Sequence, residues 1–154
     1  MSNNTCSVTQ RLSEITIKYQ RKVKYSDMHK ISCSQDALEV IREIWSDNMD
    51  HVEEFVVLCL NRANKVLGWS KISTGGTSGC IADPKVIFQI AIKSNSSSII
   101  VAHNHPSGNI NQSNSDKEIT KKLKSSGSFL DIPVLDHIII ISESFFSFAD
   151  EGLM

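Results

Sequence analysis

Apolar and polar positions alternate in two distinct periods along the chain, and the places where the period changes divide it into elements. In Glu14–Tyr19, Ile15, Ile17 and Tyr19 alternate with polar residues, the signature of a half-buried strand at a sheet edge. Leu38, Ile41 and Trp45 then recur at i, i+3 and i+7, which predicts an amphipathic helix capped by Ser34, ending near Asn48 and packed on a sheet. Phe55–Leu60 is apolar throughout and reads as a buried central strand, with Val66–Ile72 as its antiparallel partner across the Asn61–Lys65 turn. Asp83-Pro84 marks a second helix start, with Val86, Ile87, Ile90 and Ala91 on its buried face and an end in Ser94–Ser96. Ile99–Ala102 is a short apolar strand running into His103. Ser113 begins a third helix through Ile119 and Leu123 to about Lys124, stopped by Ser125-Ser126-Gly127. Val134–Ile141 closes the set as a buried strand, and Ser144–Phe148 extends the edge. The order β-α-β-β-α-β-α-β suits an α/β fold, a three-layer α-β-α sandwich around a mixed β-sheet.

Composition narrows this further. At 154 residues the chain is sized for one domain, here residues 14–154, behind a Ser/Asn/Thr/Gln-rich, flexible segment at 1–13. A chain of this size buries about two-thirds of its unfolded surface, so it needs no metal to fold and any metal it holds serves chemistry. Sixteen Lys+Arg against seventeen Asp+Glu leave a charge of −1, which gives no global attraction to nucleic-acid phosphates. Locally, residues 11–30 hold Arg11, Lys18, Arg21, Lys22, Lys24 and Lys30 against Glu14 and Asp27, a solvated face or a contact for an acidic partner. Cys6, Cys33, Cys59 and Cys80 form no CxxC pair, which argues against a zinc ribbon or a redox motif and for reduced thiols in a cytoplasmic protein. The longest apolar run, Phe55 to Leu60, falls far short of the roughly 20 residues of a membrane span. The Thr74–Gly79 loop lacks the spacings of a nucleotide cradle and reads as a turn or substrate-side loop.

The chemistry concentrates in His103-Asn104-His105-Pro106-Ser107-Gly108 and Ser113-Asn114-Ser115-Asp116. Histidines at i and i+2 on an extended segment project to one side and can reach one ion. Pro106 and Gly108 impose a turn that can bring the next helix back over the strand end, where Asp116 could complete the set. Three ligands of His₂Asp type plus a water are the open coordination of catalytic zinc. Ser113-x-x-Asp116 is equally a capping-box pattern, and both readings stand at this level.

His103-x-His105, seven residues, then Ser113-x-x-Asp116 resembles the JAMM (MPN+) metalloprotease signature in both spacings. The fuller His-Asn-His-Pro-Ser-Gly string, the strand with Glu54 and Phe55, the Gly75-Gly76 loop, Asp83-Pro84 and the Leu135-Asp136-His137 segment resemble the RadC-like JAB/MPN branch over residues 34–150. Against full-length members, an N-terminal helix-hairpin-helix-type region is not expected in residues 1–33, and Pro84-Lys85-Val86 replaces the usual Pro-Arg-Glu.

The resemblance implies the JAB/MPN, cytidine deaminase-like architecture and a zinc-dependent amide hydrolase. It implies that His103, His105 and Asp116 bind Zn²⁺, that Ser113 helps position or stabilise the oxyanion, and that an upstream glutamate activates the water. Glu54 is the expected glutamate because it directly precedes the apolar run, with Glu53 as the alternative on the opposite strand face. Asp136-His137 is a supporting pair behind the ligands, a substrate-side polar group or a structural pair. The expected partner is a peptide or isopeptide-type substrate, with a homodimer left open. Two other readings compete: a non-catalytic metal-binding interaction module, and an accessory protein in DNA repair, which the RadC name suggests and only the 11–30 stretch supports.

Overall fold

In a computed structural model, the fold is described for residues 23–76 and 79–154. The expected 1–13 segment, the strand at Glu14–Tyr19 and most of the basic 11–30 stretch lie outside these residues. Three helices, α1 (Ser34–Ile44), α2 (Pro84–Lys93) and α3 (Asn114–Phe129), pack on five strands: β1 (Glu54–Leu60), β2 (Val66–Thr74), β3 (Ser98–Asn104), β4 (Val134–Ile140) and β5 (Phe145–Ser147). The sheet runs β2-β1-β3-β4-β5 and is mixed, because β3 and β4 are parallel and every other neighbouring pair is antiparallel. None of the described helices is long and apolar enough to cross a membrane.

Strand alternation divides the core in two. Val56, Leu58, Leu60, Ile100, Ala102, Ile138 and Ile140 face α1, where Ala37, Leu38 and Ile41 cover them. Phe55, Val57, Cys59, Ile99 and Val101 face the other way, under Ile87, Phe88 and Ala91 of α2 and Leu123 of α3. Both faces of β1 and β3 are therefore buried, as their unbroken apolar runs require, and the helices form the outer layers of an α-β-α sandwich.

Three helix boundaries differ from the sequence reading. The N-cap of α1 is Cys33 rather than Ser34, and no side chain caps there. Asp36 instead reaches back to accept the Ser32 N–H at 2.7 Å, and Ser34 Oγ donates to Asp150. The same helix ends at Ile44, and Trp45, though outside it, still packs on the core. The helix α3 runs through Ser125-Ser126-Gly127 to Phe129. Gly127 does not stop it, because this glycine is a contact point: a Cβ there would stand 2.4 Å from the Ile132 carbonyl oxygen and 3.3 Å from the Phe88 ring. Asp83, by contrast, caps α2 as expected, accepting the Lys85 N–H ahead of Pro84 in the first turn.

Candidate metal centre

The crossover β3-α3-β4 delivers two kinds of ligand to one point. His103 lies near the carboxyl end of β3 on the face of Phe55 and Val101, and its ring stacks on Phe55 at 5.9 Å between centroids. His105 follows two residues on. Its Nδ1 lies 2.6 Å from the Asn109 carbonyl oxygen, which can only accept, so Nδ1 carries the proton and Nε2 presents a lone pair. The tight turn is closed by Gly108, at φ 74°, whose N–H donates to the His105 carbonyl.

The capping box of α3 supplies the third ligand. Ser113 Oγ accepts the Asp116 N–H at 3.1 Å, and Asp116 Oδ2 accepts the Ser113 N–H at 2.6 Å. That reciprocal pair fixes the carboxylate with Oδ1 3.2 Å from His103 Nε2 and Oδ2 3.6 Å from His105 Nε2. The helix-capping reading and the ligand reading of Ser113-x-x-Asp116 are thus one arrangement, in which the cap aims the carboxylate.

The donor atoms of His103, His105 and Asp116 all lie within 4.8 Å of one another. Donors bonded at about 2.0–2.1 Å to a tetrahedral ion stand roughly 3.3 Å apart. The two Nε2 atoms are 3.0 Å apart, and each lies near that value from one Asp116 oxygen, His103 3.2 Å from Oδ1 and His105 3.6 Å from Oδ2. Two imidazoles and a carboxylate are also the donor types zinc prefers, and three of them leave a fourth position for water or substrate. The residues present therefore fit a zinc ion. Electrostatics agree: burial pushes the Asp116 carboxyl up, but the neighbouring His103 and His105 rings outweigh this and hold it well below the usual carboxylate range. The same carboxylate raises His105 against the effect of its burial, so the site's anionic centre attracts positive charge.

All three residues line a cleft of about 560 Å³ that Glu53, Gly79, Cys80 and Ala82 also line. Glu53 is held by its backbone, donating to the Gly76 carbonyl at 3.0 Å and accepting the Gly75 N–H at 2.8 Å. Its Oε1 accepts the Cys80 N–H at 3.2 Å and the Cys80 thiol at 3.3 Å. Burial and the Glu53 charge push that thiol up to about 12, so Cys80 is a neutral hydrogen-bond donor rather than a nucleophile.

Such a residue set on such a crossover has close counterparts. The model of the RadC-like JAB domain matches residues 31–153. The chain belongs to the RadC-like JAB domain family. It is 41% identical over 134 residues to a UPF0758 protein of Flavobacterium johnsoniae, covering 87% of this chain and 58% of that protein. A UPF0758 protein of Chlorobium chlorochromatii is 39% identical over 136 residues, with 87% and 60% covered, and one of Clostridium kluyveri 35% identical over 144 residues, with 93% and 61% covered. The chain thus spans about three-fifths of the length of these relatives.

Within the RadC-like domain, one residue expected in the site is elsewhere. Glu54 shares the parity of Val56 and Leu58, so its side chain enters the α1 side of the sheet. There it is 1% exposed, accepts Ser46 Oγ at 2.7 Å and is ion-paired with Lys71. It does not line the cleft, and Glu53 does. Asp136 and His137 likewise point to opposite faces and form no pair. Asp136 accepts Ser147 Oγ at 2.7 Å and the Ala149 N–H at 2.9 Å, tying β4 to β5, whereas His137 lies behind His103 with its Nε2 2.8 Å from His103 Nδ1.

Two residues of the RadC-like site were given no role by the sequence. Thr120, on the second turn of α3, contacts His137 Nδ1 at 2.6 Å. Asn104, between the two histidines, faces the other side of β3, where its Oδ1 accepts the Glu54 N–H and its Nδ2 donates to the Met49 and Val52 carbonyls.

Proposed function

We propose that this RadC-like domain is a zinc-dependent amide hydrolase of the JAMM metallopeptidase type. His103, His105 and Asp116 hold the zinc, Glu53 is the general base, and a peptide or isopeptide-type bond is cleaved. The observation carrying this reading is that three convergent donors and one separate carboxylate, Glu53, line a single cleft. A bound zinc supplies Lewis acidity toward the scissile carbonyl and lowers the pKa of a water toward roughly 7. Glu53 takes the water's proton and later delivers it to the leaving amine. Both hydrogen bonds from Cys80 fall on Oε1, so Oε2 is the atom that handles that proton. Ser113 uses an oxygen lone pair for the Asp116 N–H, which leaves its O–H free to donate to a developing oxyanion. The reading carries a cytoplasmic setting, since Cys33, Cys59 and Cys80 are free thiols.

Metal analysis of purified protein should find about one zinc per chain, lost in His103→Ala with His105→Ala. Hydrolysis of a quenched-fluorescent peptide and isopeptide library should require that zinc. Full metal retention by the double variant would refute the ligand set, and hydrolysis that survives complete metal removal would refute the mechanism.

A further inference from the structure

We propose that Thr120 and His137 are positioning residues that fix the tautomer of His103 so that its Nε2 lone pair faces the metal site. This rests on the zinc reading above and deepens it. Thr120 Oγ1 donates to the Asp116 backbone carbonyl at 2.5 Å, the i−4 bond open to a helical threonine, and so commits its only proton. At its 2.6 Å contact with His137 Nδ1 it must therefore accept, and His137 carries its proton on Nδ1. His137 is 0% exposed and lies between the Phe55 and Phe148 rings, a setting in which a second ring proton would be a charge taken out of water, so the ring is neutral. Its Nε2 is then a lone pair that can only accept from His103 Nδ1, 2.8 Å away. With the proton on Nδ1, His103 directs its Nε2 lone pair toward the point shared with His105 and Asp116.

The chain begins at the backbone of one ligand, Asp116, and ends at the ring of another. A carbonyl cannot donate, so reversing the chain would set the Thr120 hydroxyl oxygen against the Asp116 carbonyl oxygen, two acceptors 2.5 Å apart. Both rings are held by aromatic neighbours: His137 stacks on Phe148 at 4.9 Å and His103 stacks on Phe55. This is how outer groups usually orient a ligating histidine, with a threonine and a second histidine where a carboxylate is commoner.

Thr120→Val keeps the shape and removes the acceptor. His137 then does better with its proton on Nε2, which sends the His103 proton to the nitrogen that should bind metal. Zinc affinity, measured by competition with a chromophoric chelator, should fall by about 10–100-fold, and Thr120→Ser should restore it to within a few-fold. Ring ¹⁵N shifts of metal-free protein at about pH 8 should show His137 protonated on Nδ1 in the wild type and on Nε2 in Thr120→Val, a change that a merely structural role would not produce. A His137 ring protonated on Nε2 rather than Nδ1 in the metal-free wild type, which needs no variant to fold, would overturn the proposal. So would a folded Thr120→Val protein that binds zinc as tightly as wild type. Failure of the wild type to bind zinc would instead count against the hydrolase reading, while the tautomer measurement still decides the relay.

Discussion

Asn104 Oδ1 accepts the Glu54 N–H at 2.7 Å across the sheet, which joins the strand carrying the histidines to the segment carrying Glu53. The same side chain donates to the Met49 carbonyl at 2.6 Å and the Val52 carbonyl at 2.9 Å, and it is fully buried. His103-Asn104-His105 therefore works on both faces of β3: the histidines define the metal point, and the asparagine sets how the segment carrying Glu53 approaches it.

Replacing Asn104 with Ala should cost at least about 2 kcal/mol, because a buried N–H and two carbonyls lose their partner. Asn104→Asp should be no milder, since a carboxylate would face two carbonyl oxygens. Chemical denaturation checks both, and an alanine variant within about 0.5 kcal/mol of wild type, the range of ordinary surface changes, would refute this role.

The adjacent glutamates offer a sharper contrast. Glu53→Gln should leave zinc binding and stability near wild type and reduce hydrolysis by about 10²–10⁴-fold, the usual contribution of a general base. Glu54→Gln should do the reverse, keeping hydrolysis and losing roughly 1 kcal/mol as the pairing with Lys71 and Ser46 weakens. Turnover and unfolding measured on the same two preparations separate the roles; if Glu54→Gln is the inactive one, the assignment of Glu53 is wrong.

The difference between these two residues shows where the sequence stops being informative. His103, His105 and Asp116 were readable because their geometry is local: strand alternation puts i and i+2 on one side, and a capping box fixes Asp116 relative to Ser113. The sheet and its helices were readable because the apolar period records which face is buried. Glu53 and Glu54 sit where β1 begins, and a one-residue shift exchanges their faces. That register is set by bonds to Gly75, Gly76 and Asn104, residues remote in the chain. His137 reaches His103 from β4 and Thr120 reaches His137 from α3, and no spacing rule connects the three.

Gly127 gives a test that runs against helix propensity. An alanine inside α3 should gain about 1 kcal/mol relative to glycine from backbone entropy alone. Here the added methyl carbon would meet the Ile132 carbonyl oxygen at 2.4 Å, and that carbonyl belongs to the turn leading into β4. Gly127→Ala should therefore destabilise by about 1–3 kcal/mol, as overpacking does. A stabilised variant in urea denaturation would show that the turn gives way freely.

The last expectation concerns Asp136, whose carboxyl is raised above its ordinary 3.8, by burial first, against the lowering effect of Ser147 and the Ala149 N–H. A group whose folded-state pKa exceeds its unfolded value binds more protons when folded, so its contribution to stability is complete below the unfolded pKa and declines as pH rises through the folded one. The penalty therefore begins near 3.8 and grows upward through the raised value. Asp136→Asn keeps an acceptor for the Ala149 N–H and cannot ionise, so it escapes this dependence. Unfolding free energies of the two proteins between about pH 4 and pH 7 should diverge, with wild type losing ground to Asp136→Asn as pH increases. A difference that stays flat, or that favours wild type increasingly at higher pH, would mean that the hydrogen bonds from Ser147 and Ala149 outweigh burial and that Asp136 is held as a carboxylate.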